Sequence, residues 1–139
     1  MNLTLWIALG ASVLAIAYGA YLVRWLLALP TGDGKMNGIA HAIEEGANAY
    51  LRREYRVIAM IGTIVFLLLG IFLENGWTLA AGFAVGAILS ALAGWIGMQV
   101  AVRANLRTAE AAKGGLAKAF DVAVKSGTVT GLFVVALAL

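Results

Sequence analysis

Long uncharged runs separated by short charged ones set the pattern of this chain. Met1 to Val23 has no charged side chain, and Trp6 and Trp25 bracket the run nineteen residues apart. At the helical rise this is roughly 28 Å, close to the thickness of a hydrocarbon core. The run therefore predicts a first membrane helix over about residues 3–28, with an aromatic anchor at each interface. A cleaved leader would need a basic start and a shorter apolar centre, and the run has neither. Pro30 to Gly34 (PTGDG) then breaks the helix.

The second element begins amphipathic, with Met36, Ile39, Ile43, Ala47, Tyr50 and Leu51 at helical spacing on one face. Glu44, Glu45, Arg52, Arg53 and Arg56 occupy much of the rest, and Val57 to Leu73 is then uncharged. Arg56 can extend that short run by raising its guanidinium to the interface, which predicts one long helix over about residues 36–73, half in water and half in lipid. Glu74 to Trp77 (ENGW) makes a tight turn into a third helix, about 78–107, whose span is Thr78 to Val102. A basic hairpin, Arg103 to Lys118, follows, and a fourth helix is expected from about 115 to 139. Its uncharged part, Thr128 to Leu139, is well short of the roughly twenty residues a crossing needs. The fourth helix is therefore read as truncated. The expected fold is all-α: a polytopic bundle of four transmembrane helices, forming one membrane domain over residues 1–139.

Composition agrees, with 63% of residues hydrophobic and 12% charged, against about a quarter charged in soluble domains. The net charge of +3 is explained by topology and not by a nucleic-acid partner. Arg24, Lys35, Arg52, Arg53 and Arg56 flank the first connection, while Arg103, Arg107, Lys113, Lys118 and Lys125 flank the third. The amino tail and the second connection have none. The positive-inside rule then places the amino terminus outside and the connections at about 29–56 and 103–118 in the cytoplasm.

Small residues recur every fourth position at Gly82, Gly86, Ser90 and Gly94, and again at Ala119, Ala123, Gly127 and Gly131. Each set makes a narrow stripe on which another helix can approach closely in lipid. These eight residues are the candidate helix-packing positions.

Candidates for chemistry are few. Cysteine is absent, and the single His41 lies in no metal-ligand pattern. Asp121 lies four residues before Lys125, the spacing of an ion pair along a helix. Glu44 and Glu45 are adjacent, so about 100° apart, and do not face each other. They are read as a salt-bridged polar face. Arg103, Asn105 and Arg107 lie where two arginines one turn apart could hold a phosphate or cap carbonyls. Glu44, Glu45, Arg103, Asn105 and Arg107 are thus candidate polar contacts at the cytoplasmic face. No residue is assigned to catalysis, cofactor binding or metal binding. A self-contained four-helix transporter and a non-enzymatic anchoring subunit are the competing readings. The small multidrug exporters, which the first of these would resemble, place a glutamate mid-membrane in the first helix, and Met1 to Val23 has none.

Two longer stretches go further. IEEGANAYLRREY, Ile43 to Tyr55, and GMQVAVRANLRTAEAAKGGLAKAFDVAVKSGTVTG, Gly97 to Gly131, resemble the amino-terminal blocks of the membrane-integral pyrophosphatases, closest to bacterial proton pumps. The resemblance implies a homodimer with about sixteen helices per subunit in two rings. It also implies hydrolysis of magnesium-pyrophosphate at the cytoplasmic face of a bacterial inner membrane, coupled to proton translocation. The acidic D-x-x-x-D-x-x-x-K motif of that family's substrate site is absent from these residues. This chain is then expected to be a scaffolding portion, inactive alone, with lipid and the remaining helices of the pump as its partners.

Overall fold

The computed structural model describes residues 3–138, and Met1, Asn2 and Leu139, where the expected fourth helix ends, lie outside the described residues. Four helices follow one another, α1 (Leu3–Leu27), α2 (Gly34–Phe72), α3 (Gly76–Ala112) and α4 (Leu116–Ala138). Each is long and apolar enough to cross a membrane. There is no strand among the described residues.

Local chemistry explains where the helices begin and end. Asp33 caps α2, its Oδ1 accepting from the amide of Met36 at 2.9 Å, so one of the free amides of the first turn is satisfied. Asn37 Nδ2 ties the same turn down by donating to the carbonyl of Asp33 at 2.9 Å. The α2–α3 turn is tighter. Asn75 takes a left-handed conformation at φ 56°, which Asn tolerates better than most residues. A Cβ on Gly76 would collide with the carbonyl oxygen of Leu69, so glycine is required where the chain doubles back. Trp77 then covers Gly70 and meets Phe66 edge-on, with ring centroids 6.2 Å apart.

The charged hairpin expected from Arg103 to Lys118 is mostly helical. α3 continues through Ala112, and only a short turn ending in Gly115, at φ 109°, separates it from α4. Alanine, arginine and glutamate are good helix formers, and ANLRTAEAA contains no glycine or proline to stop the helix before Lys113. Since the helices alternate in direction, every basic residue lies toward one end of the bundle.

α1, α3 and α4 pack together, and α2 lies along the far side of α3. The core is formed by Leu22 and Leu26 of α1, Val100 and Ala104 of α3, and Val122 and Val129 of α4. Two close approaches draw it together. A Cβ on Gly97 would stand 2.7 Å from Cγ2 of Thr130, and one on Gly19 would stand 3.1 Å from the Phe133 ring. Most other large apolar side chains are exposed, as befits helices whose surroundings are lipid or other helices.

Candidate functional site: the polar seam between α2 and α3

The α2–α3 contact carries a ladder of polar bonds. Glu44 Oε1 accepts from Arg103 Nη2 at 3.0 Å, Asn48 Oδ1 accepts from Gln99 Nε2 at 2.7 Å, and the Tyr55 hydroxyl donates to the carbonyl of Ala91 at 2.6 Å. Positions rise along α2 as they fall along α3, the register of two antiparallel helices in continuous contact. Leu51 is buried between the second and third rungs. The spacing of 44, 48, 51 and 55 keeps all four on one stripe of α2.

This stripe shares only Leu51 with the apolar one read along the amphipathic segment. Ile39, Ile43 and Tyr50 are exposed, and the side of α2 that meets α3 begins with Glu44 and Asn48. The physical reason lies in α3, where Gln99 and Arg103 share a face one turn apart and need partners. An amide at this depth is better satisfied by another amide than by lipid. Sequence reasoning missed Asn48, Gln99 and Tyr55. The signal was available: Gln99 is the sole side-chain amide between Thr78 and Val102.

The remaining candidates fall in different places. Glu45 and Asn105 are exposed, and no hydrogen bond joins either side chain to another group among the described residues. Arg107 is partly buried and acts locally: Nη1 donates to the carbonyl of Arg103 at 2.8 Å, and Nη2 to that of Leu27 at 3.2 Å. It thereby reaches the carboxyl end of α1, where carbonyls lack helical partners and a cation is favoured. Burial, and secondarily the charge of Arg103, lowers its pKa from the ordinary arginine value. Arg103 itself is engaged with Glu44, so the two arginines do not converge on a common anion.

At the α4 end, Lys125 binds Asp121 at 2.7 Å and lies over the Trp25 ring, 4.3 Å from its centroid. Lys113 pairs with Glu110, and that bond raises the lysine pKa, with desolvation opposing it and the charges of Glu110 and Asp33 adding to it. No three of His, Asp and Glu converge as metal ligands among the described residues.

The small-residue stripes divide. Gly94 lies under the Tyr55 hydroxyl, 3.0 Å from where its Cβ would be, and Ala119 is buried. A Cβ on Gly82, Gly86, Gly127 or Gly131 would meet nothing within 4 Å, and Ser90 and Ala123 are exposed. α3 meets α4 at Gly97, against Thr130, and Ala93 and Ala104 are buried on the same face of α3.

Four membrane-length helices, basic at one end and joined by interhelical polar bonds, define a polytopic integral membrane protein. The chain matches the family described as H_PPase, Inorganic H+ pyrophosphatase, over residues 13–139, and it belongs to that family. It is similar to the K(+)-insensitive pyrophosphate-energized proton pump of Methanosarcina mazei, 46% identical over 129 residues. That alignment covers 93% of this chain and 19% of the relative. A second such relative, proton pump 2 of Moorella thermoacetica, is 47% identical over 127 residues, 91% of this chain and 18% of the relative. The putative K(+)-stimulated pyrophosphate-energized sodium pump of Clostridium tetani is 40% identical over 122 residues, covering 88% and 18%. The chain thus spans about a fifth of the length of these curated relatives.

Proposed function

We propose that this chain is the amino-terminal, scaffolding part of a pyrophosphate-energised proton pump, which couples hydrolysis of magnesium-pyrophosphate to proton translocation. The observation that carries the reading is the match over residues 13–139 together with 46% and 47% identity to relatives named as proton pumps. The pump is a homodimer in a bacterial inner membrane, with the amino terminus outside and the basic connections in the cytoplasm. Catalysis and magnesium binding belong to parts of the pump other than these residues.

The scaffolding role has support in the geometry. The polar seam holds the long α2 against α3, and the open glycines at 82, 86, 127 and 131 leave two smooth strips on which further helices can seat. The test is the full-length protein in sealed liposomes with a pH-sensitive dye. Magnesium and pyrophosphate together should drive proton uptake, and the 139 residues alone should hydrolyse none. Pyrophosphate-independent transport by the full-length protein would overturn the reading.

A further inference from the structure

We propose that the groove between α2 and α3 is a binding site for an anionic phospholipid, with one acyl chain in the groove and the phosphate at Arg52 and Arg56. This goes beyond the pump reading and stands independently of it.

The groove has two parts. Below Tyr55 is an apolar slot of about 550 Å³ lined by Ile58, Gly62 and Phe66 of α2 and by Phe83, Ala87 and Ala91 of α3. Small side chains on both helices leave it open although the helices touch above it. Above Tyr55, and sharing that residue, is a polar mouth lined by Arg52, Trp95 and Gln99. An occupant must therefore be apolar at one end and polar at the other.

From Tyr55 to Phe66 the slot runs about 16 Å along the helix axis, long enough to take most of an extended acyl chain.

Charge decides the headgroup. Arg52 and Arg56 lie one turn apart on one flank of α2, and Ala59 and Thr63, which line the slot, continue that flank. Neither arginine has an ion-pair partner among the described residues. Glu44, the acid at the mouth, is taken by Arg103. Glu54 stands about 160° around the helix from each arginine. Glu45, two turns before Arg52 and lining a polar cavity with it, offsets part of this charge, and the two arginines still leave the mouth net positive next to a tryptophan, the arrangement that draws a phosphodiester.

The test uses the full-length pump containing this chain, in phosphatidylcholine vesicles doped with a phospholipid carrying a photoreactive acyl chain. Residues 57–66 and 83–91 should be labelled, several-fold more with photoreactive phosphatidylglycerol than with photoreactive phosphatidylcholine. Replacing Arg52→Gln and Arg56→Gln should lower phosphatidylglycerol labelling by about fivefold for each arginine, the ratio set by roughly 1 kcal/mol per cation near an anionic lipid. Ala87→Phe should abolish labelling in the slot and leave that at exposed Leu68 and Ile71 unchanged. Absence of labelling in both segments would mean that another helix covers the groove, and equal labelling by the two headgroups would mean no anionic selection. Either result overturns the proposal, whether or not pyrophosphate drives the pump.

Discussion

The Tyr55 hydroxyl lies 2.6 Å from the carbonyl oxygen of Ala91 and 3.0 Å from where a Cβ on Gly94 would stand. One residue thus makes a bond across the seam and uses the absence of a side chain one turn along. Tyr55→Phe should cost about 1 kcal/mol, the net worth of one hydrogen bond. Gly94→Ala should destabilise the otherwise unaltered protein and be better tolerated when combined with Tyr55→Phe, because the hydroxyl is the one group outside its own helix backbone that the new methyl meets among the described residues. Thermal unfolding of the two single variants and the double variant gives the coupling; strictly additive effects would contradict the arrangement.

The Asn48–Gln99 bond offers a second cycle. In lipid such interhelical bonds average about 0.6 kcal/mol and reach about 1.7. Asn48→Leu and Gln99→Leu should each destabilise, since each leaves the other amide without its partner. The double variant should be less destabilised than the sum of the two.

Gly97 and Gly86 lie on the same helix but should respond oppositely. Leucine at 97 would drive its Cβ into Thr130 and should cost about 1–3 kcal/mol by wedging α3 from α4. Leucine at 86 or at 127 meets open space within these four helices. Their packing should survive, while assembly or activity of the full-length pump falls. Resistance to limited proteolysis separates the two outcomes, and wild-type activity with both Gly86→Leu and Gly127→Leu would end the docking role of the stripes.

Arg107 links α3 to the end of α1 through charge-assisted bonds to carbonyls. Arg107→Ala should cost about 1.5–3 kcal/mol, read as an earlier thermal transition. Lysine should restore only part of it, because an ammonium lacks the fork that reaches the carbonyls of Arg103 and Leu27 together.

The Lys113–Glu110 pair carries a pH signature. Its bond raises the lysine pKa in the folded state, so its contribution is complete below the ordinary lysine pKa and is lost as pH rises through the raised value. The stability difference between wild type and Lys113→Ala should therefore be constant from about pH 6 to 9 and shrink only under alkaline conditions. A difference that changes near neutrality would contradict the pairing.

Three crossings were legible in sequence because charge is expensive in lipid, so uncharged runs bounded by Arg24, Arg56 and Arg103 announce where helices can cross. The fourth was read as too short from Thr128 onward, yet α4 reaches crossing length by including Asp121 and Lys125, which pair with each other. Clustering of the basic residues at one end was legible for the same reason. The length of α3 was less so: ANLRTAEAA reads as a charged connection by composition and as helix by propensity, and propensity prevailed.

Partnership between helices could not be read in this way. The amphipathic start of α2 offers an apolar face through Ile39, Ile43 and Tyr50 and a polar one through Glu44 and Asn48, and periodicity alone favours burial of the first. α3 decided for the second, because Gln99 and Arg103 needed bonding partners that only α2 brings within reach. Equally, two glycine stripes stood out along the chain, yet α3 and α4 meet through Gly97 and Thr130. The sequence by itself determined which segments leave water and in which order. Only the tertiary structure decided which faces meet, because contact depends on the matched register of two surfaces, and neither surface contains the other's description.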